Sequence, residues 1–264
     1  MNFRLVWVCA MAAAAMPAYA QITTTLTPQT IAEFERYQAG VDSQIASQIS
    51  GAQPFLWIQQ RTEERRRAEA GEVVTHAFTG SNGLSVTGGL VHDWVGVVYL
   101  KGLRLDAVKQ FLLDTERHPR AYSEVKAART LSRSSDQSVT KLRMVKKKVL
   151  TVVLDAEYAN QWQSPGPDKW AFSARSRKIE EVERSGGEEK ILAAGTGYGF
   201  LWRMNSQWLL REDDGGVWAE LRVVSLSRDA PHGLGWMIKP MIRDFPAEGI
   251  TSTLRQTQQA LMKR

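Results

Sequence analysis

Hydrophobic and polar positions first alternate with a helical period. Thr27 precedes Pro28, and Ile31, Phe34, Val41, Ile45 and Ile49 then recur at three- and four-residue spacing, which predicts an amphipathic helix over 28–50. Gly51 and Pro54 break it. A second helical stretch opens at Phe55-Leu56-Trp57-Ile58 and runs through the charged segment Arg61 to Glu69 before Gly71, so an antiparallel helical pair is expected. From residue 72 the period becomes two, predicting strands at 73–79 and 90–100 on either side of a glycine-rich turn. In the second of these, Val91, Asp93, Val95, Val97 and Tyr99 alternate with His92, Trp94, Gly96, Val98 and Leu100. A helix over 104–114 follows, with Leu105, Val108, Phe111 and Leu112 as its apolar side, and then a loop with Pro119. Long strands are predicted at 124–133, 138–148, 149–162 and 169–183, and two more at 198–211 and 216–228 around the turn Asp213-Asp214-Gly215-Gly216. The tail returns to helix: a short segment from Gly233 to Phe245, then a longer helix opened by Pro246 and carrying Ile250, Leu254 and Leu261 on one face.

Two helices, strands, a short helix, a run of antiparallel strands and a closing helix make an α+β layout. One face of such a sheet must be buried, and the single long terminal helix is its natural cover. The expected division is a helical extension over 21–71 and a sheet-plus-helix domain over 72–264.

The strand alternation also nominates a binding wall. Phe200, Trp202, Met204, Ser206, Trp208 and Leu210 share one predicted face, aromatic with a single hydroxyl. The partner strand offers Val217, Ala219, Leu221, Val223, Ser225 and Ser227, small enough to leave room beside the tryptophans. Beneath a helix these residues wall a cavity or pack as solid core, and the pattern allows both. Trp236, Met237 and Met241 are candidates for its gate, or for core. In Leu142-Arg143-Met144-Val145-Lys146-Lys147-Lys148, residues Leu142, Met144 and Lys146 fall on one face and Arg143 and Lys147 on the other, so at least one cation is expected to point inward. That cation needs an anionic ligand group or a carboxylate such as Asp155 or Glu157, unless this is a solvated, lysine-rimmed edge.

Composition changes the picture at the N-terminus. Arg4, the apolar run Leu5 to Ala15 and the small-x-small site Ala18-Tyr19-Ala20 predict a secretory leader over 1–20, cleaved before Gln21, and hence a periplasmic or secreted protein. The sole cysteine, Cys9, would leave with it, so no disulfide is expected. The net charge of +6, from which Arg4 would also be lost, points for an exported chain to transient contact with anionic membrane surfaces rather than nucleic acid. The arginines at 61, 65, 66 and 67 are interleaved with Glu63, Glu64 and Glu69 and read as a solvated helix face.

Phe111-Leu112-Leu113-Asp114-Thr115-Glu116-Arg117-His118-Pro119-Arg120-Ala121-Tyr122, with Val125 and the strand behind it, resembles the helix–Asp–Pro–aromatic–Val segment of polyketide-cyclase-like and START-like lipid-binding domains. Thr115 and His118 stand where that segment commonly carries aromatics. The resemblance spans residues 90–262 and implies the helix-grip fold, a curved antiparallel sheet around a long C-terminal helix. It also implies a superfamily that carries lipids, sterols and plant hormones and includes cyclases.

Catalytic signatures are missing: there is no His-Glu-x-x-His, no Gly-x-Ser-x-Gly, no P-loop and no Rossmann fingerprint. Gly195-Thr196-Gly197-Tyr198-Gly199 precedes a strand and reads as a β-loop. His76, His92, His118 and His232 lack ligand spacing, so neither a metal nor a cofactor is expected. The expected function is binding of an apolar or amphipathic small molecule, lipid-like, by Leu142, Arg143, Met144, Trp202, Met204, Ser206, Trp208, Trp236, Met237 and Met241. A cyclase or hydrolase using Asp155, Glu157, Arg143 or Glu220, and a ligand-free interaction module docking through its N-terminal helices, are the rivals.

Overall fold

The computed structural model describes residues 23–147, 151–185, 187–229 and 235–262, with only the backbone of residues 185 and 235–243. The expected leader over 1–20 and His232 lie outside the described residues.

In chain order the elements are β1 (Thr24–Thr25), α1 (Pro28–Ser50), a 3-10 turn at Trp57–Gln60, α2 (Thr62–Glu69), β2 (Val74–Ala77), β3 (Leu84–Val86), β4 (Gly89–Lys101) and α3 (Leu105–Leu113). A 3-10 turn at Thr115–Arg117 and α4 (His118–Ala121) lead into β5 (Val125–Arg133), β6 (Gln137–Lys147), β7 (Thr151–Gly166) and β8 (Lys169–Ser185). Then come β9 (Glu188–Ile191), β10 (Thr196–Gly197), β11 (Arg203–Asp213), β12 (Gly216–Arg228) and α5 (Gly235–Met262). The main sheet is antiparallel in the order β2-β4-β12-β11-β8-β7-β6-β5, with β3 also on β4 and β9 on β8. The first long strand thus lies beside the last, and α3 and α4 carry the chain from β4 to the far edge at β5. This is the α+β helix-grip layout, a curved sheet holding its C-terminal helix.

The sheet's two faces are covered differently. On the outer face, Phe34, Val41 and Ile45 of α1 pack on Val91, Val224 and Leu226, and Phe55, Leu56, Ile58 and Ala68 pack on Val97, Leu209 and Trp218. On the inner face, Ile250 and Leu254 of α5 join Val98, Leu100, Trp170, Leu210 and Ala219 and the apolar side of α3. Gly96 lets α5 come this close: a Cβ there would stand 2.6 Å from Leu254 Cδ1.

Three expectations are corrected. The N-terminal helices do not form a pair with each other. Each buries its apolar side against the sheet, whose outer-face valines and leucines offer more apolar surface than a short, arginine-rich α2 can. That α2 is itself shorter than predicted, because the residues before Arg61 form a 3-10 turn. The terminal helix is continuous from Gly235, with Pro246 inside it rather than opening it. A proline there removes one i→i−4 bond without removing the packing of Ile250 and Leu254 that holds the helix down.

Candidate ligand-binding site

Inner-face packing is solid at the α3 end and open at the other. Between the sheet and α5 lies a cavity of about 310 Å³. Its floor comes from β4 (His92), β12 (Leu221, Val223, Ser225 and Ser227), β11 (Met204, Ser206 and Trp208), β7 (Val152 and Leu154) and β6 (Leu142 and Met144). Phe245, Gly249, Ile250 and Thr253 of α5 close it from above. The floor is contiguous because register aligns it: His92 is opposite Ser225, which is opposite Met204, and Val223 is opposite Ser206. Short side chains on β12 against longer ones on β11 leave space that a uniform layer would fill.

Charge enters the cavity at one side. Lys146 points inward on β6 and donates to Glu124 Oε1 at 2.6 Å, with its ammonium 5.1 Å from the Phe245 ring centroid. Nearby, Tyr122 shares a 2.9 Å hydrogen bond with Thr257 Oγ1 of α5; Thr257 gives its own proton to Thr253 O, so Tyr122 is the donor. His118 packs edge-on to Tyr122, and burial lowers its pKa.

The opposite side is uncharged. His92 is 1% exposed, and neither ring nitrogen has a hydrogen-bond partner among the described residues. Burial pushes its pKa down to about 4, so the imidazole is neutral near pH 7.

Of the sequence-nominated residues, the fold brings Leu142, Met144, Met204, Ser206 and Trp208 around one space, and does not bring Arg143 or Trp202 there. Arg143 lies on the outer face, where Nε and Nη2 donate to the two carboxylate oxygens of Asp155 at 2.7 and 2.9 Å and Nη1 donates to Glu189. That bonding holds the Asp155 carboxyl below its ordinary range. The inward cation is therefore Lys146, and its carboxylate is Glu124 rather than Asp155 or Glu157. Trp202 is buried on the outer face with Phe34, Val91 and Leu226, because regular pleating of β11 starts only at Arg203. Upstream, Phe200 and Leu201 both face the cavity, which no strand alternation permits. Side chains of Trp236, Met237 and Met241 lie outside the described residues.

The acids and bases proposed for an enzyme fare no better. Asp155, Glu157 and Arg143 occupy the outer face, and Glu220, also outward, accepts from the Trp57 backbone N–H at 2.7 Å. No group of three or more metal-binding side chains occurs among the described residues. The glycine-rich loop is tied to β8: the Tyr198 and Phe200 N–H groups donate to the buried Glu181 carboxylate of that strand at 2.6 and 2.9 Å. Gly197 has φ +106°, and a Cβ on it would meet Glu181 Oε2 at 2.6 Å, so this glycine is what lets the carboxylate in.

Sequence reasoning passed over His92 and His118 as ligand contacts because it weighed the histidines for metal spacing and His92 with Asp93 as an acid–base pair, which their opposite faces rule out. The same adjacency of His92 and Asp93, which sends one of the two to each face, also carried the signal that one polar side chain of this strand faces inward.

No family model and no curated protein matches this chain. Solved structures do resemble it. The STAR-related lipid transfer protein from Xanthomonas axonopodis is 18% identical, with 72% of this chain and 99% of that one covered at a TM-score of 0.44. Human STARD10 is 10% identical (79% and 82% covered, TM-score 0.45), and an aromatase/cyclase, Zhui, from a Streptomyces species is 11% identical (67% and 94%, TM-score 0.42). Likeness at this level carries neither ligand nor activity across, so the functional reading rests on the cavity.

Proposed function

We propose that this is an exported binding protein for an apolar or amphipathic small molecule, lipid-like, held between the sheet and α5. The carrying observation is the cavity of about 310 Å³, with a mainly apolar wall and a few polar groups set at its two sides. Such a site removes apolar ligand surface from water at about 25 cal/mol per Å². The volume lies at the small end of the roughly 300–1,000 Å³ of small-molecule sites, which suits a single chain or a small ring system better than a two-chain lipid. Export is part of the proposal and rests on the leader-like pattern over 1–20. Contact with an anionic membrane surface belongs to it too, supported by exposed Lys126 and Arg129 on edge strand β5, next to the Glu124 and Val125 rim of the cavity.

Native mass spectrometry of the full-length gene product purified from its own host tests both parts at once. A near-stoichiometric apolar adduct, identified after organic extraction, on a chain beginning at Gln21 is the expected result. A ligand-free mass that takes up no member of a lipid panel overturns the binding reading, and an uncleaved chain overturns the export reading.

A further inference from the structure

Inside an otherwise apolar floor, His92 is a costly residue. A polar atom buried without a partner has given up its water for nothing in return, and the imidazole has two such atoms. Its ring is also held in place: Gly83 packs so closely that a Cβ there would lie 2.8 Å from His92 Cε1. Ser225 sits directly across on β12, and Ser227 follows on the same face with its hydroxyl donating to Arg228 O, leaving its lone pairs to accept. The cavity's charged pair, Glu124 and Lys146, belongs to the β5–β6 side, five strands away in the sheet order, about 24 Å along the sheet at roughly 4.8 Å per strand.

A neutral imidazole offers one donor and one acceptor. A hydroxyl offers the same two, so it can answer whichever ring nitrogen it meets, donating to the bare one or accepting from the N–H. A carboxylate only accepts, and burying its charge beside an uncharged cluster is costly. We propose that His92, with Ser225 and Ser227, anchors an uncharged hydroxyl group of the ligand at the buried side of the cavity, so that the ligand is an alcohol of lipid-like character lying hydroxyl-inward. This rests on the binding reading above and adds the ligand's functional group and orientation.

Displacement of a bound Nile red probe from the full-length protein, by decanol, decane and decanoate, tests it. Comparing each probe between unmodified protein and His92→Phe cancels the hydration of the chain itself. Decanol is expected to weaken about tenfold in His92→Phe, the loss of one buried hydrogen bond, while decane is unchanged or tighter. His92→Gln, which keeps a donor and an acceptor, should recover part of the loss. Equal changes for decanol and decane overturn the anchor, and a decanoate loss as large as decanol's overturns the uncharged assignment; both leave the cavity reading standing. Failure of unmodified protein to bind Nile red or any of the three sinks the binding reading itself. If both variants misfold, imidazole ¹⁵N shifts of the unmodified protein decide: a His92 shift with decanol but not with decane supports the anchor, and its absence overturns it.

Discussion

Two adjacent residues of one strand, one on each face of the sheet, meet burial in opposite ways. Outside, Asp93 is fully buried and fully answered: Arg222 Nε and Nη2 donate to its two oxygens at 2.9 and 2.6 Å, Tyr37 of α1 donates at 2.9 Å, and Arg222 reaches on to Gln44. Inside, one residue earlier on the same strand, His92 is just as buried and has no partner among the described residues. A satisfied network fixes how α1 sits on the sheet, whereas an unsatisfied group that lines a cavity is the one to test against a ligand. Adjacent residues of β4 thus separate structure from site.

The largest expected effect breaks the outer network. Arg222→Leu leaves Asp93 as a buried carboxylate with only Tyr37 beside it, and removal of one partner from a buried pair costs about 3–5 kcal/mol. Urea unfolding should register that loss, with Nile red affinity of the remaining folded protein unchanged. A cost under about 1 kcal/mol would mean that α1 is held by its apolar contacts and that the polar network is incidental.

How much of this was legible beforehand follows from the same contrast. Period-two runs placed the long strands, because all but the edge strand β5 have one face on packed side chains, and the Asp213–Gly216 turn set the β11–β12 register. The inner positions of β12 and the β11 residues from Met204 onward were readable for that reason. Trp202 and Leu201 were not, since the glycines at 195, 197 and 199 take positive φ and the chain there obeys no alternation. Nor was the fate of Arg143: alternation sends it outward, but only tertiary pairing shows that Asp155 and Glu189 absorb it. The helical pair failed because amphipathic pattern says that a face is buried and not against what.

A smaller effect separates the faces by pH. Burial pushes the outer Glu220 up to about 8 and the inner His92 down to about 4. Between about pH 4.5 and 8 the folded state holds the Glu220 proton that the unfolded chain releases, so stability from this group is lost as pH rises. For His92 the unfolded chain binds the extra proton between about pH 4 and 6.5, so its contribution is lost as pH falls. Each pH unit crossed is worth up to about 1.4 kcal/mol per group. Glu220→Gln should therefore abolish the decline between about pH 6.5 and 8 and expose a rise from about 4 to 6.5, read as urea midpoints across buffers. A variant that still declines above about pH 6.5 would place the responsible group elsewhere.

One substitution made on both sides gives the finest test. Gly40 lies on the exposed side of α1, where an added methyl would meet nothing within 4 Å, so Gly40→Ala should stabilise by about 0.5–1 kcal/mol through lost freedom of the unfolded chain. Gly96→Ala adds the same methyl at the base of α5, 2.6 Å from Leu254 Cδ1 and 3.2 Å from Ile250 Cγ1, and should destabilise by about 1–3 kcal/mol. Since Gly249, Ile250 and Thr253 of that helix also line the cavity, lifting α5 there should speed Nile red release as well. Thermal unfolding gives the sign of each change, and stopped-flow fluorescence gives the release rate. Opposite signs with faster release tie the helix contact to the site; a neutral Gly96→Ala would mean that α5 rides loosely over β4 and that the cavity's depth is set by the sheet alone.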